Sequence, residues 1–321
     1  MILKYDVLCV GSATVDHFLT IDDSFKEIKV GDKVLVSEKA THTGGGATNS
    51  AAALAKFGLK VKMLTKLGDD GEADFIIKEM KKYGVKNVCK SVSNKRTDTA
   101  TLISSVKNRD RIIYVHKGAS RDLKLSDCAK KDLRVKWMYL ASLMGKSFAT
   151  AKKLCEIAKT KNINVLFNPS LYLAKKGKKY LRSVLDATTI LVLNREEAQA
   201  LLGNDSNSFS HLARELHKLG PSKVIITNGN KRFYASDSKK LYSLIGPTVK
   251  RVHTAGAGDA FTAVFFGALI KKYSFADALR LGQVNASSVI QYIGTKHKQL
   301  TEKEALSHLK KYRIEVTQRE L

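Results

Sequence analysis

The chain has 321 residues, of which 44% are hydrophobic, and this length and composition suit a globular protein with a large core. It carries 56 lysines and arginines against 30 aspartates and glutamates, which gives a formal net charge of +26. The lysines are spread along the whole chain and do not form one stripe with interleaved aromatics. The sequence therefore favours solvated basic faces over a nucleic-acid-binding surface, although the charge should attract anionic nucleotides.

No apolar run approaches the roughly 20 residues that a membrane-spanning helix requires. The start reads as a buried strand, and it lacks the basic region and the cleavage site of a signal peptide. The four cysteines form no CxxC pair, which argues against a metal cluster or a catalytic thiol. These features predict a soluble, cytoplasmic protein with no membrane partner.

Short apolar runs alternate with helical patterns in the first third of the chain. The pattern predicts strands at 7–11, 18–21, 33–37 and 61–67, and helices at 49–57 and 72–83. Two further runs, 99–105 and 111–116, read as a hairpin that could join 18–21 and 33–37 in a small separate sheet.

The alternation resumes after the hairpin and continues to the last predicted helix. It predicts strands at 137–141, 164–167, 189–193 and 224–227, a hairpin of 231–236 and 240–245, and helices at 148–160, 196–202, 209–219, 260–271 and 275–292. Strands that alternate with helices are typical of a layered α/β domain. Because no repeat or low-complexity linker interrupts the pattern, residues 1–321 are expected to form a single domain.

Polar residues follow several of the predicted strands at the point where each strand ends. Asp16 follows the first strand, Asn168 and Asn194 follow the strands at 164–167 and 189–193, and 227–229 end the next one. Ligands of open α/β sheets gather beyond the carboxyl ends of the strands. The sequence therefore predicts a binding site that these residues share.

The segment His253-Thr-Ala-Gly-Ala-Gly-Asp-Ala-Phe261 is the most informative in the chain. Small residues let a backbone approach a ligand closely, and the first amides of the apolar helix that follows have no partner within it. These amides lie at the positive end of the helix dipole and can bind an anion. Because phosphate would repel Asp259, a carboxylate here suggests a general base that takes a proton from a substrate hydroxyl.

The remaining motifs each have a structural interpretation beside the functional one. Asn49 could hold vicinal hydroxyls or could cap a helix, and Asp16 could grip a diol or could be a solvated loop residue. Asn194 and Glu197 could order hydrated Mg²⁺ or could form a capping box. The segment 227–229 could contact a nucleotide or could be a plain turn.

Three motifs resemble the signatures of the ribokinase family of sugar and nucleoside kinases, also called the PfkB family. The N-terminal signature is matched by GGGATNSAAALAKFG at 44–58, the C-terminal signature by TAGAGDAF at 254–261, and the N-x-x-E motif by NREE at 194–197. The order and spacing of the three agree with the family, and the match covers nearly the entire chain.

The resemblance implies a Rossmann-type three-layer α/β/α sandwich with a small β-sheet lid formed by the segments near 12–38 and 97–118. It implies that Asp259 is the general base and that an anion hole is supplied by Ala255, Gly256, Ala257 and Gly258. It implies that the phosphoryl acceptor is held by Asp16, Gly45, Gly46 and Asn49. Asn194 and Glu197 would organise Mg²⁺ and phosphate without a direct protein cage. The nucleotide would lie near Thr227, Gly229, Asn285 and Ser288.

The implied activity is transfer of the ATP γ-phosphoryl group to a hydroxymethyl of a small sugar such as ribose, fructose or ketodeoxygluconate. A nucleoside kinase for adenosine, cytidine or inosine is the alternative, since Phe18, Phe25 and Tyr114 of the lid could hold a base. A non-catalytic ligand- or RNA-binding protein on the same scaffold is a third possibility.

Two further expectations follow from the resemblance. His253 stands where many members carry an aspartate near a monovalent-cation site, which argues against activation by K⁺. The edges of the lid sheet could pair across a homodimer.

Overall fold

The computed structural model describes residues 4–85, 87–89, 94–108, 110–252, 254–292 and 294–321, with the backbone alone at 87–89. The strands in this part of the chain are β1 Val7–Val10, β2 Thr14–Ile21, β3 Glu38–Gly44, β4 Val61–Leu64, β5 Asn87–Cys89, β6 Asp98–Ser105, β7 Asp110–His116, β8 Trp137–Ala141, β9 Asn164–Asn168, β10 Thr188–Asn194, β11 Lys223–Thr227, β12 Phe233–Ser236, β13 Lys240–Leu244 and β14 Val316–Glu320.

The α-helices of the described chain differ widely in length. They are α1 Gly46–Lys56, α2 Gly71–Lys82, α3 Lys146–Thr160, α4 Leu171–Ala174, α5 Gly177–Leu185, α6 Arg195–Leu202, α7 Phe209–His217, α8 Ala257–Ile270, α9 Phe275–Val289 and α10 Glu302–Tyr312. None of the helices so described is long and apolar enough to span a membrane.

A large sheet runs through the centre of the molecule in the order β14-β13-β12-β11-β10-β9-β8-β1-β4-β5. The strands from β11 to β5 pair in parallel, whereas β12, β13 and β14 pair antiparallel at one end. Strand β1 pairs with β4 on one side and with β8 on the other, so the order of the chain reverses there. Such a reversal opens a crevice at the carboxyl ends of the strands.

The core has two layers because successive side chains of each strand point to opposite faces of the sheet. In β1, Val7 and Cys9 pack with α1, α2, α8 and α9, whereas Leu8 and Val10 pack with α3, α5, α6 and α7. This arrangement of helix, sheet and helix confirms the predicted three-layer α/β architecture.

A second sheet of four strands, in the order β3-β2-β6-β7, stands beside the core. We call it the small sheet. The predicted hairpin forms its β6 and β7, but the predicted strand at 33–37 is wrong, and the chain pairs with β2 over 38–44 instead. The apolar residues that suggested the earlier strand are exposed, with Leu35 86% accessible. The position of β3 in the chain is therefore determined by its pairing with β2 and not by burial of Leu35.

The sequence pattern does not predict strand β5, three of the helices or the last strand. Helices α4 and α5 follow β9, and α10 and β14 follow the helix that was expected to close the fold. Thr301 and Glu304 form a reciprocal capping box at the start of α10. Strand β14 is mostly exposed and is held by its pairing with β13, so its side chains carry little hydrophobic pattern.

Candidate active site

Asp259 lies in the first turn of α8, at the carboxyl-end crevice of the large sheet. Its Oδ2 accepts a hydrogen bond of 2.8 Å from Asn49 Nδ2. Burial raises the pKa of the Asp259 carboxyl, while the bond from Asn49 and the charge of Lys296 act in the opposite direction. The structure thus places a carboxylate of raised basicity beside the helix amides that have no partner within α8.

The turn that begins α8 depends on Gly256. This residue is the N-cap, and its φ of 79° lies in the left-handed region that favours glycine. A Cβ at this position would lie 2.7 Å from the Cβ of Thr295. Backbone conformation and close packing therefore both require glycine, and together they fix the direction in which the amides of the turn point.

Ala255, Ala257 and Gly258 complete this turn. The Ala257 amide donates to the carbonyl of Thr254 at 3.3 Å, so it is engaged within the turn itself. Ala257, Gly258 and Thr254 all line a large cavity beside the helix start. Residue 253, whose identity argued against K⁺ activation, lies outside the described residues.

Asn49 reaches Asp259 from the first turn of α1, and it is not the cap of that helix. Gly45 is the N-cap, Gly46 begins the helix, and no side chain caps it. The Asn49 amide instead bridges two groups, since its Nδ2 donates to Asp259 and its Oδ1 accepts 2.9 Å from Thr295 Oγ1. Asn49 is therefore not a helix cap, and its side chain lies against the Asp259 carboxylate.

Asp16 lies on β2 and is partly buried, so it is not a solvated loop residue. Thr14 Oγ1 donates to its Oδ1 at 2.8 Å. Burial raises the pKa of the Asp16 carboxyl, and the Thr14 bond with the charges of Lys296 and Lys117 counteracts this. A Cβ on Gly44 would collide with the Asp16 carboxylate, so glycine there leaves room for it against the start of α1.

Asn194 and Glu197 form the capping box of α6. Asn194 Oδ1 accepts a hydrogen bond of 2.8 Å from the backbone N–H of Glu197. Glu197 Oε2 in turn accepts one of 2.8 Å from the backbone N–H of Asn194. Burial raises the pKa of Glu197 to about 7, and the charges of Glu196 and Asp259 act in the same direction. The predicted capping box is therefore present, and the charge of Asp259 also acts on Glu197.

A cavity of about 900 Å³ opens between the start of α8, helix α9 and the ends of β10 and β11. Thr227 and Gly229 line it, as does Asn194. Asn168, by contrast, donates from its Nδ2 to the Val192 carbonyl at 2.9 Å, which ties β9 to β10. The polar residues predicted at the strand ends thus divide between the cavity wall and the scaffold.

Asn285 and Ser288 of α9 do not line this cavity. Asn285 is fully buried and donates to the Ala260 carbonyl and Gln299 Oε1, while its Oδ1 accepts from the Leu300 amide. Ser288 Oγ donates to the Lys298 carbonyl at 2.8 Å. Both side chains hold the segment after α9, and the helix presents other residues to the cavity, among them Gln283 and Ala286.

The sequence pattern gave no sign of Thr295 or Lys296. Thr295 Oγ1 contacts Asn49 and also the Thr43 carbonyl at 3.2 Å. Lys296 is 2% exposed, and its ammonium group donates to the same carbonyl. These residues follow α9 in an irregular segment without hydrophobic periodicity, so only their position in space identifies them.

Comparison with known proteins identifies the family of the chain. The family model for pfkB family carbohydrate kinases matches residues 4–302. A ribokinase of Staphylococcus aureus is 28% identical over 297 residues, which cover 90% of this chain and 94% of the relative.

Solved structures show the same fold. Arabidopsis thaliana ribokinase, solved with ribose and ATP, has a TM-score of 0.81 at 24% identity and covers 95% of this chain and 99% of its own. A nucleoside kinase of Methanocaldococcus jannaschii, described as an archaeal member of the ribokinase family, has a TM-score of 0.79 at 20% identity over 96% of this chain and 98% of its own. The chain belongs to the PfkB family of carbohydrate kinases, has the ribokinase fold, and is a kinase for a sugar or nucleoside.

Proposed function

We propose that this kinase transfers the γ-phosphoryl group of ATP to a hydroxymethyl of a small sugar, with Asp259 as the general base. The observation that carries the proposal is the position of Asp259. It bonds Asn49 on one side of the crevice, and on the other its turn lines the 900 Å³ cavity. A group that must contact an alcohol and a phosphoryl group needs this intermediate place.

The reaction would proceed by one proton transfer and one exchange of bonds. The acceptor hydroxyl gives its proton to Asp259, its oxygen forms a bond to the γ-phosphorus, and the bond from that phosphorus to the β-phosphate oxygen breaks. The amides of Ala255, Gly256 and Gly258 would stabilise the charge on the phosphoryl oxygens.

Each side of the crevice would hold one substrate. Asp16 and Asn49, with the backbone of Gly45 and Gly46, would bind the sugar hydroxyls. Thr227 and Gly229 would lie along the nucleotide, because they line the cavity. The small sheet carries Asp16 and would act as a lid that excludes water.

Asn194 and Glu197 suit the organisation of a hydrated Mg²⁺ ion near the phosphates. Burial and two neighbouring carboxylates raise the pKa of Glu197, and a divalent cation would stabilise its charged form. No three His, Cys, Asp or Glu side chains cluster as a metal site within the described residues. Magnesium keeps several waters and neutralises charge on the phosphates.

A nucleoside is the second candidate acceptor. Phe18 on β2 is partly exposed, and its ring meets the ring of His42 edge to face at 5.7 Å between centroids. Such a pair could form one wall of a slot for a base. The adjacent Asp16 and Asn49 offer more polar groups than a base requires, which favours the sugar.

A coupled assay of ADP release across ribose, fructose, ketodeoxygluconate, adenosine, cytidine and inosine tests the proposal. Turnover with a sugar at the highest kcat/KM supports it, and a preference for a nucleoside would select the second candidate. No turnover on any acceptor, together with salt-sensitive RNA binding, would favour the non-catalytic alternative.

We also propose that the small sheet pairs two copies of the chain. Strand β7 is an edge strand whose residues are all exposed, including the apolar Ile112, Ile113, Tyr114 and Val115. An exposed apolar edge invites pairing. Sedimentation analysis should show a dimer that Ile113→Lys converts to a monomer, and a monomeric wild-type protein would contradict the proposal.

A further inference from the structure

Lys296 is a buried lysine in the segment between α9 and α10. Its ammonium group donates to the Thr43 carbonyl and lies 3.4 Å from Thr295 Oγ1. Lys62 and Lys66 are also buried, and they pair with Asp132 and Asp127 respectively. Burying an ammonium is costly unless surrounding groups compensate. The groups around Lys296 should therefore explain why its ammonium is buried.

Several titratable groups surround Lys296, and they come from five elements or segments. They are Asp16 on β2, His42 on β3, Glu79 and Tyr83 at the end of α2, Asp259 on α8, and the adjacent His297. Burial lowers the pKa of Lys296 to about 8, although Glu79, Asp16 and Asp259 act to raise it. The ammonium in turn lowers the pKa of Asp16 and of Asp259.

Hydrogen bonds connect this ammonium to the carboxylate of Asp259. Lys296 and Thr295 share the Thr43 carbonyl as acceptor, Thr295 Oγ1 also contacts Asn49 Oδ1, and Asn49 Nδ2 donates to Asp259. The Thr43 amide donates 3.1 Å to Glu79 Oε2, so the same peptide segment is held from both ends. A cation at this place can act on Asp259 through its field and through the orientation of Asn49.

We propose that Lys296 is a positioning residue that serves as a fixed internal cation for the phosphoryl transfer. It keeps the Asp259 carboxylate ionised and aligned through Asn49. It also offsets negative charge in a crevice that holds two carboxylates and would receive phosphate. The inference rests on the proposed role of Asp259 as the base.

The sign of the effect follows from the charges. A protonated Lys296 stabilises ionised Asp259, so its removal should raise the pKa of the base and move the acidic limb of kcat/KM to higher pH. Loss of the Lys296 proton as pH rises above about 8 should lower activity and produce an alkaline limb. Both limbs are observable in the same pH profile.

The experiment compares wild type, Lys296→Met and Lys296→Arg from pH 5 to pH 10 with the best acceptor. Lys296→Met should lower kcat/KM at neutral pH by about tenfold and shift its acidic limb upward by about one unit, the scale of one close charge. Lys296→Arg should retain most activity and lose the alkaline limb, because arginine stays protonated throughout this range. Lys62→Met, which removes another buried ammonium, should leave both limbs where they are.

Unchanged pH profiles in both Lys296 variants would overturn the inference. So would a Lys296→Met enzyme that loses activity with its acidic limb in place, since that result indicates a purely structural lysine. If Lys296→Met does not fold, the pH profile of Lys296→Arg tests the inference by itself. An alkaline limb that persists in Lys296→Arg would refute the role of Lys296 as the internal cation. Asp259→Asn separates the two proposals: an inactive variant beside unchanged Lys296 profiles leaves the kinase mechanism standing and removes only this inference.

Discussion

The two sides of the crevice are built in different ways. On the side of α1 and the small sheet, side chains hold one another: Asn49 bonds Asp259 and Thr295, and Thr14 bonds Asp16. On the side of α9, the wall of an open cavity includes backbone turns and small residues such as Gly229, Gly258 and Ala286.

The contrast fits the different demands of the two proposed substrates. A proton transfer depends on the place of individual atoms, so the groups that perform it must be fixed by their neighbours. A nucleotide is large and can be bound by the shape of a cavity and by backbone amides. Substitutions on the first side should therefore change the rate, and those on the second side should change the affinity for ATP.

Asp259→Asn should have the largest effect. It keeps the shape of the side chain and removes the proton acceptor, so kcat should fall by about 10²–10⁴-fold. The thermal midpoint should change little, because an uncharged amide is easier to bury than a carboxylate. The coupled ADP assay measures the rate, and Asp205→Asn, at an exposed position beyond the C-terminal end of α6, is the matched control. A variant with near-normal turnover would refute the role of the base.

Gly256→Ala should have the next largest effect, and Gly258→Ala is its matched control. Gly256 has a φ of 79° and no room for a Cβ, whereas a Cβ at Gly258 meets nothing within 4 Å. We expect Gly256→Ala to cost about 1–3 kcal/mol in the free energy of unfolding and to lower kcat, because the turn must shift. Gly258→Ala should change the stability by less than about 1 kcal/mol. Urea denaturation measures both, and equal losses would contradict the geometry of the turn.

Asn285→Ala and Gln283→Ala should show the smallest effects on catalysis, and their effects should be of opposite kinds. Asn285 makes three buried hydrogen bonds, so its loss should cost about 1–3 kcal/mol of stability and leave the KM for ATP unchanged. Gln283 lines the cavity, and its loss should raise the KM for ATP a few-fold with little change in stability. Steady-state kinetics and urea denaturation together would show whether α9 contacts the nucleotide through Gln283 or through Asn285.

The boundaries of the core elements were largely predictable, because burial on both faces of the large sheet leaves uninterrupted apolar runs. Strand β8 begins and ends where the pattern placed it, at Trp137 and Ala141. The strands of the small sheet were harder to predict. Their side chains are less buried and so follow the hydrophobic alternation less strictly, and the position of β3 depends on its pairing with β2. The same reason explains why β14, with its exposed side chains, was missed.

The amino-acid sequence by itself determined the three-layer α/β architecture, the kinase family and the glycine-rich turn around Asp259. These features depend on periodicity and on motifs that are local in the chain. Only the tertiary structure decided that Asn49 bonds Asp259, that Asn285 bonds the Ala260 carbonyl, and that Lys296 is buried against the Thr43 carbonyl. The Asn49–Asp259 hydrogen bond joins residues 210 positions apart, and the Lys296–Thr43 hydrogen bond joins residues 253 positions apart. No pattern that is local in the chain can predict contacts between residues so far apart in sequence.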